Sequence, residues 1–383
     1  MYRKLTATQI FNGYEVLPEG SVLILDSAGV VVDVVGEAEA GDDVERFSGM
    51  LTPGFINCHC HLELSHMRGK VPKHTGLIDF LLNIVENRQA TAAAIQLAIE
   101  TAENEMIQNG IVAVGDICNT TDTVAQKKKG HLHYQNFIEV AGFSEGIAEK
   151  RFNGILEIYD AFEKIAPFNS IVPHAPYSVS TTLLEKITSF KGNGIMTMHN
   201  QETLAENELY EKMEGDFLKF YQQLNIPVDG FTSLERSSLQ HFLPYFNLDQ
   251  SLILVHNVCT SEADIGYAQT QYEKGNAALF FCLCPSANRY ISNQLPDVNM
   301  FVRSGVNLVL GTDSLASNDG LSIWEEIKVL QERFPEISLV EMLRWATLNG
   351  ARALKIDERY GSFEKGKRPG VVLIGADGRC GLQ

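Results

Sequence analysis

The sequence predicts an α/β fold, a (β/α)8 TIM barrel with a small β domain beside it. Between residues 51 and 315, eight short apolar segments alternate with longer amphipathic or alanine-rich segments. This alternation is typical of parallel strands that are joined by helices, and eight repeats over about 260 residues match the size of such a barrel. The first 50 residues contain only short apolar runs with glycine and aspartate at the turns, which indicates strands without helices.

The local patterns place the individual elements. Barrel strands are predicted at residues 51–57, 111–116, 134–140, 170–173, 194–198, 252–255, 277–282 and 306–311. Helices are predicted at residues 90–108, 147–165, 181–190, 206–223, 261–274, 322–333 and 339–354. The last apolar run, 366–374, is too short to stand alone and is expected to pair with the N-terminal β unit, which contains the predicted strands 22–25 and 30–35. The chain then divides into a discontinuous small domain, residues 1–50 plus 362–383, and a barrel, residues 51–361.

Composition restricts the partners of the protein. The formal charge of −17 argues against nucleic acid and anionic membranes, because binding to phosphate needs clustered lysine and arginine. The lysine run at 127–129 is the one local exception, and a solvated loop is expected there. No apolar stretch approaches the roughly 20 residues that cross a bilayer, and no signal peptide is evident. Seven cysteines, an odd number, favour a reducing cytoplasm over a disulfide framework.

Two histidines, His59 and His61, directly follow the first predicted barrel strand. Strand residues two apart point to one face, so both imidazoles can reach one point, and imidazole is a common zinc ligand. His131 and His133 have the same spacing but follow the 127–129 lysine run without a preceding strand. We therefore expect a metal site at the first pair and a solvated strand start at the second.

The two cysteines that alternate with the first histidine pair could suggest a zinc cluster. Alternation places Cys58 and Cys60 on the opposite face of the strand, which favours small buried hydrophobic residues there.

Several other predicted strands also end in a residue with metal-binding or acid–base chemistry. These residues are His174 on strand four, His199 on strand five, His256 on strand six and Asp313 on strand eight. Working residues of barrel enzymes lie at the carboxyl ends of strands. Imidazoles together with a carboxylate suit zinc or iron with one position left for water, whose pKa the metal lowers toward 7.

Glu202 lies three residues after His199 and can face the same cavity. A carboxyl group there can act as a proton shuttle. The alternative interpretation is that its charge complements the N-terminus of the following helix.

Residues 53–57 leading into His59 and His61, His199 with Glu202, His256, and Gly311-Thr312-Asp313-Ser314 together resemble the amidohydrolase superfamily. The similarity is to its chlorohydrolase-like branch of deaminases, which act on S-adenosylhomocysteine, guanine or aminodeoxyfutalosine. Segments 346–354 and 361–367 are similar to that branch as well. The resemblance implies a barrel with a composite β-sandwich that is formed by both termini. One departure is Arg368-Pro369-Gly370, where the family usually has Ala-Asp.

The resemblance also implies roles for individual residues. It implies one divalent metal, zinc favoured over iron, held by four ligands: His59, His61, His199 and Asp313. Asp313 would also take the proton from the attacking water, His256 would orient that water, and Glu202 would protonate a ring nitrogen. Binuclear members bridge two metals with a lysine on strand four, which this strand lacks, so a single metal is expected.

The substrate is a small molecule in this interpretation. His174 is expected to contact it, and Glu63 and Ser65 are further candidate contacts, because segments 61–66 and 75–80 are similar to aminodeoxyfutalosine deaminases. The predicted function is metal-dependent hydrolytic deamination of an aminopurine-type metabolite, 6-aminodeoxyfutalosine or an adenosine-like compound. Two alternatives remain: a hydrolase that acts on another leaving group, as in cyclic amide hydrolysis or dechlorination, and a non-catalytic scaffold. The resemblance further implies a homo-oligomer, a homodimer being one form.

Overall fold

The computed structural model describes residues 2–228, 231–233, 235–375 and 380–382. The strands are β1 (Arg3–Ile10), β2 (Ser21–Leu25), β3 (Val31–Gly36), β4 (Val44–Pro53), β5 (Phe55–Cys60), β6 (Ile111–Cys118), β7 (His133–Val140), β8 (Asn169–Pro173), β9 (Ile195–Asn200), β10 (Ser251–His256), β11 (Leu279–Leu283), β12 (Asn307–Leu310), β13 (Val371–Ile374) and β14 (Cys380–Leu382). The α-helices are Glu37–Ala40, Leu77–Asn87, Ala92–Gln108, Val124–Lys127, Ala148–Glu163, Thr181–Thr188, Leu204–Lys212, Asp216–Gln223, Ser238–Phe242, Glu262–Tyr272, Pro285–Ser292, Val298–Arg303, Ile323–Arg333, Leu339–Arg344 and Gly350–Ala353. Short 3₁₀ segments are Leu62–Met67, Glu145–Ile147, Pro176–Ser178 and Leu243–Tyr245, and a π-helical turn is Trp345–Asn349. None of these helices combines the length and the apolar character that a membrane span requires.

Two four-stranded parallel sheets form the centre of the molecule and confirm the predicted α/β class. The first has the order β5-β6-β7-β8 and the second the order β12-β11-β10-β9. Strands β5, β9 and β10 are buried along their whole length, as is typical of strands in a parallel sheet that is covered on both faces. The sheets meet where His199 N donates to the carbonyl of His174 at 2.9 Å, and where Thr312 N donates to the carbonyl of His59 at 3.0 Å.

A separate six-stranded sheet combines both ends of the chain in the order β14-β13-β4-β1-β2-β3. Strand β13 pairs antiparallel with β4, Val371 opposite Pro53, which confirms that the last strand joins the N-terminal β unit. The expectation of no helix in the first 50 residues is wrong, because Glu37–Ala40 forms one helical turn between β3 and β4. Residues 1, 376–379 and 383 of the predicted small domain lie outside the described residues.

Two predicted elements are interrupted in the structure, one at a close approach of neighbouring chain segments and one at residues with positive φ. The predicted strand 51–57 is split at Gly54, where a Cβ would lie 2.4 Å from Val112 and 2.7 Å from the carbonyl oxygen of Pro369. The predicted helix 206–223 is two helices, because Met213 is left-handed (φ 56°) and Gly215 has φ 94°. Neither break is marked in the sequence by a change in the apolar periodicity.

The lysine run at 127–129 contains a second error of prediction. Lys128 and Lys129 are exposed as expected, but Lys127 is buried. Its Nζ lies 2.5 Å from Asp116 Oδ2, and it also donates to Asn136 Oδ1 at 2.8 Å. A buried lysine is tolerated when it is paired in this way, and composition alone does not reveal which lysine of a run turns inward.

Candidate metal centre

Four histidines and one aspartate converge at the carboxyl ends of the parallel strands. His59 lies on β5 with His61 just beyond it, His199 lies on β9, His256 ends β10, and Asp313 follows β12. The Nε2 atom of His61 is 3.2 Å from Nε2 of His59 and 3.3 Å from Nε2 of His199. Asp313 Oδ1 is 3.6 Å from Nε2 of His59 and 3.4 Å from Nε2 of His61. The two sheets therefore contribute to one cluster.

The pKa values of His61, His199 and Asp313 are shifted in the directions that metal ligation requires. Burial lowers the pKa of His61 to about 3, and burial together with neighbouring imidazoles lowers the pKa of His199. Burial alone would raise the pKa of Asp313, but the nearby imidazoles of His59, His61 and His256 bring it below its usual range. His199 Nδ1 donates to the carbonyl of His174 at 2.7 Å, so its Nε2 lone pair faces inward. Neutral imidazoles and an ionised carboxylate that face one another fit a divalent metal ion.

A second acid–base group lies beside this cluster. His256 Nδ1 accepts a hydrogen bond from Asn288 Nδ2 at 3.0 Å, and its Nε2 is 3.7 Å from Glu202 Oε1. Burial lowers the pKa of His256 to about 4. Burial, and then the charges of Asp313 and Glu206, raise the pKa of Glu202 well above its usual range. The site thus holds two carboxyl groups whose pKa values are shifted in opposite directions, Asp313 downward and Glu202 upward.

The predicted substrate contacts occupy different environments. The ring of His174 lies beside that of His199, with centroids 4.7 Å apart, and its Nδ1 donates to Ser178 Oγ at 2.8 Å. The hydroxyl of Ser65 donates to the carbonyl of Leu62 at 2.6 Å, so its proton is used within the 3₁₀ turn and a substrate contact by Ser65 stays a prediction.

Glu63 is buried behind the loop that follows β6. Its Oε2 accepts hydrogen bonds from the backbone N–H groups of Asn119 and Thr120, at 3.0 and 2.9 Å, and from the Thr120 hydroxyl at 2.9 Å. Burial raises its pKa to about 7, although these hydrogen bonds act in the opposite direction.

Sequence reasoning missed four polar residues that support the site. Ser317 Oγ donates to Asp313 Oδ2 at 2.5 Å, and Asn288 fixes the ring of His256. Asn119 donates through Nδ2 to Glu139 Oε2 at 3.0 Å, and Glu139 Oε1 is 3.6 Å from His199 Nδ1. Glu139 could have been found, since it is a charged residue inside the predicted third strand. The other three lie in loops or short helices, where no periodicity identifies a polar partner.

The two cysteines beside the histidines are fully buried, as expected. Cys58 Sγ lies 3.8 Å from the carbonyl of Gly350, against a helix and away from the imidazole cluster. Burial raises the pKa of both Cys58 and Cys60. Buried neutral thiols agree with the interpretation of both residues as small hydrophobes.

The chain is similar to proteins that are named as deaminases. It is 27% identical over 338 residues to an adenosine deaminase of Helicobacter pylori, covering 86% of this chain and 79% of the relative. It is also 27% identical over 290 residues to an aminodeoxyfutalosine deaminase of Nitratiruptor sp., covering 73% of this chain and 67% of that relative. The crystal structure of Helicobacter pylori aminofutalosine deaminase in complex with methylthio-coformycin has the same fold, with a TM-score of 0.81 and 24% sequence identity. The alignment covers 97% of this chain and 92% of that structure.

The family model agrees with the geometry of the centre. It matches residues 50–378, which include both parallel sheets, the four histidines and Asp313. The chain therefore belongs to the amidohydrolase family.

Proposed function

We propose that this protein is a metal-dependent hydrolytic deaminase that removes the amino group of an aminopurine-bearing small molecule as ammonia. The observation that carries the proposal is a pair of buried carboxyl groups beside His256, Asp313 and Glu202, whose pKa values are shifted in opposite directions, downward for Asp313 and upward for Glu202. Two carboxyl groups held in different states supply a base and an acid at one pH. The names of the relatives support this reaction and favour 6-aminodeoxyfutalosine or an adenosine-like compound as substrate.

His59, His61, His199 and Asp313 would hold one divalent ion, with zinc favoured and iron as the alternative. When bound, the ion acidifies water and so supplies a nucleophile at neutral pH. A single ion is supported by β8, which contains no lysine that could bridge two ions. It is also supported by His199 Nδ1, which is already bonded to the carbonyl of His174.

The protein residues would move the protons. Asp313, held through Oδ2 by the Ser317 hydroxyl, accepts a proton from the attacking water. His256 accepts from Asn288 at Nδ1, so its Nε2 carries the proton that orients the water. Glu202 donates its proton to the ring nitrogen next to the amine-bearing carbon, which makes that carbon more electrophilic. The amine then leaves as ammonia after it receives the proton that Asp313 has accepted, and the second proton of the attacking water returns to Glu202 as the carbonyl forms.

We also propose that β5 to β12 close into a (β/α)8 barrel, residues 51–361, and that residues 1–50 and 362–383 form a separate composite β-sandwich. The hydrogen bonds that join the two parallel sheets at His174–His199 and at His59–Thr312 support closure of the barrel. The six-stranded sheet made from both chain ends supports the small domain.

The test is ammonia release by zinc-loaded protein from aminodeoxyfutalosine, aminopurine nucleosides, guanine and cytosine. We expect one member to react with kcat/KM above about 10⁴ M⁻¹s⁻¹, and the metal-free protein to be inactive. Silence across the panel with zinc confirmed at one ion per chain would contradict deamination and direct attention to another leaving group, such as chloride or a ring amide.

A further inference from the structure

Two residues of the centre have a backbone conformation that side chains rarely adopt. His256 has φ 74° and Asp313 has φ 56°, both in the left-handed region. This conformation is uncommon for residues other than glycine, and it persists where the surrounding structure holds it. The groups that hold His256 and Asp313 therefore determine how these two side chains face the cluster.

One buried side chain on a neighbouring helix, Glu326, is connected to both residues. It lies in the helix Ile323–Arg333 and is 1% exposed. Its Oε1 accepts a hydrogen bond from Asn318 Nδ2 at 2.9 Å, and its Oε2 accepts from the backbone N–H of Ser286 at 2.8 Å. Both oxygens have donors, and such donors are the condition on which a carboxyl group is buried at low cost.

The first of these hydrogen bonds leads to Asp313. Because a carboxylate oxygen can only accept, Glu326 fixes the amide of Asn318 with its nitrogen toward the carboxylate. The same Nδ2 donates to the carbonyl of Thr312 at 2.9 Å, directly before Asp313. The backbone N–H groups of Thr312 and Asp313 donate to the carbonyl of His59, at 3.0 and 3.1 Å. Glu326 thus supports the backbone that presents Asp313 to the cluster.

The second hydrogen bond leads to His256. Ser286 is the second residue of the helix Pro285–Ser292, whose N-terminus has no side-chain cap of its own. The carboxylate of Glu326 takes the place of that cap, because it accepts from a first-turn N–H group. Asn288, two residues further along the same helix, donates through Nδ2 to His256 Nδ1 at 3.0 Å. Glu326 thus fixes the start of the helix that presents Asn288 to the imidazole.

We propose that Glu326 is a positioning residue that holds Asp313 and the imidazole of His256 in their working arrangement at the same time. This inference rests on the proposed deaminase function, in which Asp313 accepts a proton and His256 orients the water. Fixed orientation of the reacting groups lowers the barrier, and a displacement of about 1 Å can cost about 10²-fold in rate. Glu326 acts through Asn318 and Asn288 and not on the substrate, so its loss should lower kcat and leave KM nearly unchanged.

The competing interpretation is that Glu326 only stabilises the fold, and three variants separate the two roles. Glu326→Met keeps the length of the side chain but replaces both acceptor oxygens, so it breaks both connections. Glu325→Met makes the same change at the neighbouring exposed position and is the matched control. Ile327→Val removes one methyl group from a fully buried residue of the same helix, which lowers stability without breaking either connection.

Two properties are measured for each variant per folded chain. The first is kcat and KM for ammonia release by the zinc-loaded protein, with the substrate that the parent deaminates fastest. The second is the visible absorption of the cobalt(II)-substituted protein, whose bands report the ligand geometry at the ion. We expect Glu326→Met to lower kcat at least about tenfold with KM within about threefold of the parent, and to change the cobalt bands.

Glu325→Met and Ile327→Val should keep the parental kcat and cobalt bands, although Ile327→Val should lower the urea midpoint of unfolding. If Glu326→Met does not fold, Asn318→Ala breaks the connection to Asp313 alone, and it should also lower kcat and change the cobalt bands.

Retention of either the parental kcat or the parental cobalt bands in folded Glu326→Met, or in Asn318→Ala where it replaces that variant, would overturn the positioning role while deamination stands. Absence of ammonia from every substrate with the parent would overturn the deaminase function. The cobalt bands would in that case still determine whether Glu326 positions Asp313, because they need no substrate.

Discussion

The chain contains two His-x-His pairs with the same spacing, and they lie at opposite ends of parallel strands. His59 and His61 are at the carboxyl end of β5, where their Nε2 atoms are 3.2 Å apart. His133 begins β7, with its ring 4.7 Å from that of Phe168, and His131 Nδ1 is 2.9 Å from Glu103 Oε2.

The difference shows that spacing along a strand is insufficient to make a metal site. At the carboxyl ends of the strands, loops from both sheets bring His199 and Asp313 to the first pair. At the amino end of β7, the second pair meets an apolar ring and one carboxylate. His131 is exposed as predicted, whereas His133 is half-buried and so only partly the solvated residue that the sequence suggested.

The largest expected effect is the loss of metal from the first pair. His59→Ala should remove bound metal and activity together, with kcat/KM falling at least about 10³-fold, because the ion supplies the nucleophile. Metal content by atomic absorption and ammonia release measure the two quantities. His131→Ala is the matched control and should retain both the bound metal and the activity. Equal metal loss in the two variants would contradict the assignment of the metal site to the first pair alone.

Glu202→Gln sharpens the comparison by separating proton transfer from metal binding. The amide keeps the shape of the side chain but has no proton that it can transfer, so kcat should fall about 10²- to 10⁴-fold with full metal occupancy. Steady-state kinetics and metal analysis on one preparation test this. Turnover within a few-fold of the parent would assign the proton to another group.

Lys127→Met tests a buried polar cluster whose members satisfy one another. The substitution leaves Asp116 buried without its cation, which should lower the free energy of unfolding by about 3–5 kcal/mol. Urea denaturation of the zinc-loaded protein gives that value. Lys128→Met, at an exposed position, should change it by less than about 0.5 kcal/mol, and a similar loss in both variants would contradict a buried pair.

His133→Leu has the smallest expected effect and a defined pH window. Burial lowers the pKa of His133 to about 4 from an ordinary value of 6.5, so the unfolded chain binds a proton that the folded chain does not bind between these values. Stability is therefore lost as the pH falls below 6.5, by about 2 kcal/mol at pH 5.

The leucine variant should lose about 2 kcal/mol less than the parent between pH 7 and pH 5. Urea unfolding at both pH values measures the difference. An identical pH dependence in the variant and the parent would show that His133 is not buried in its neutral form.

Sequence patterns predicted the parallel strands because burial on both faces leaves a continuous apolar run that ends in a polar side chain. For this reason the predicted strand 252–255 differs from β10 (Ser251–His256) by one residue at each end, and the polar residue that ends this strand is His256. The strand break at Gly54 was not predicted, because it depends on the approach of Val112 and Pro369, which are distant in sequence.

The supporting residues of the site show the same limit. His59, His61, His199 and Asp313 lie at or just beyond the carboxyl ends of strands and could be identified from the sequence as candidates. Asn288 contacts His256 across 32 positions, and Asn119 joins Glu63 to Glu139 across 56 and 20 positions. Such contacts are created by the tertiary fold and have no local pattern.

The division of the candidate ligands between the two parallel sheets has a consequence for how the protein unfolds. His59 and His61 belong to the first sheet, and His199 and Asp313 belong to the second or its exit. An ion coordinated by all four would cross-link the two halves of the centre, so binding free energy would oppose their separation. Removing it with a chelator should therefore lower the unfolding temperature, and the two halves of the centre should then separate more readily.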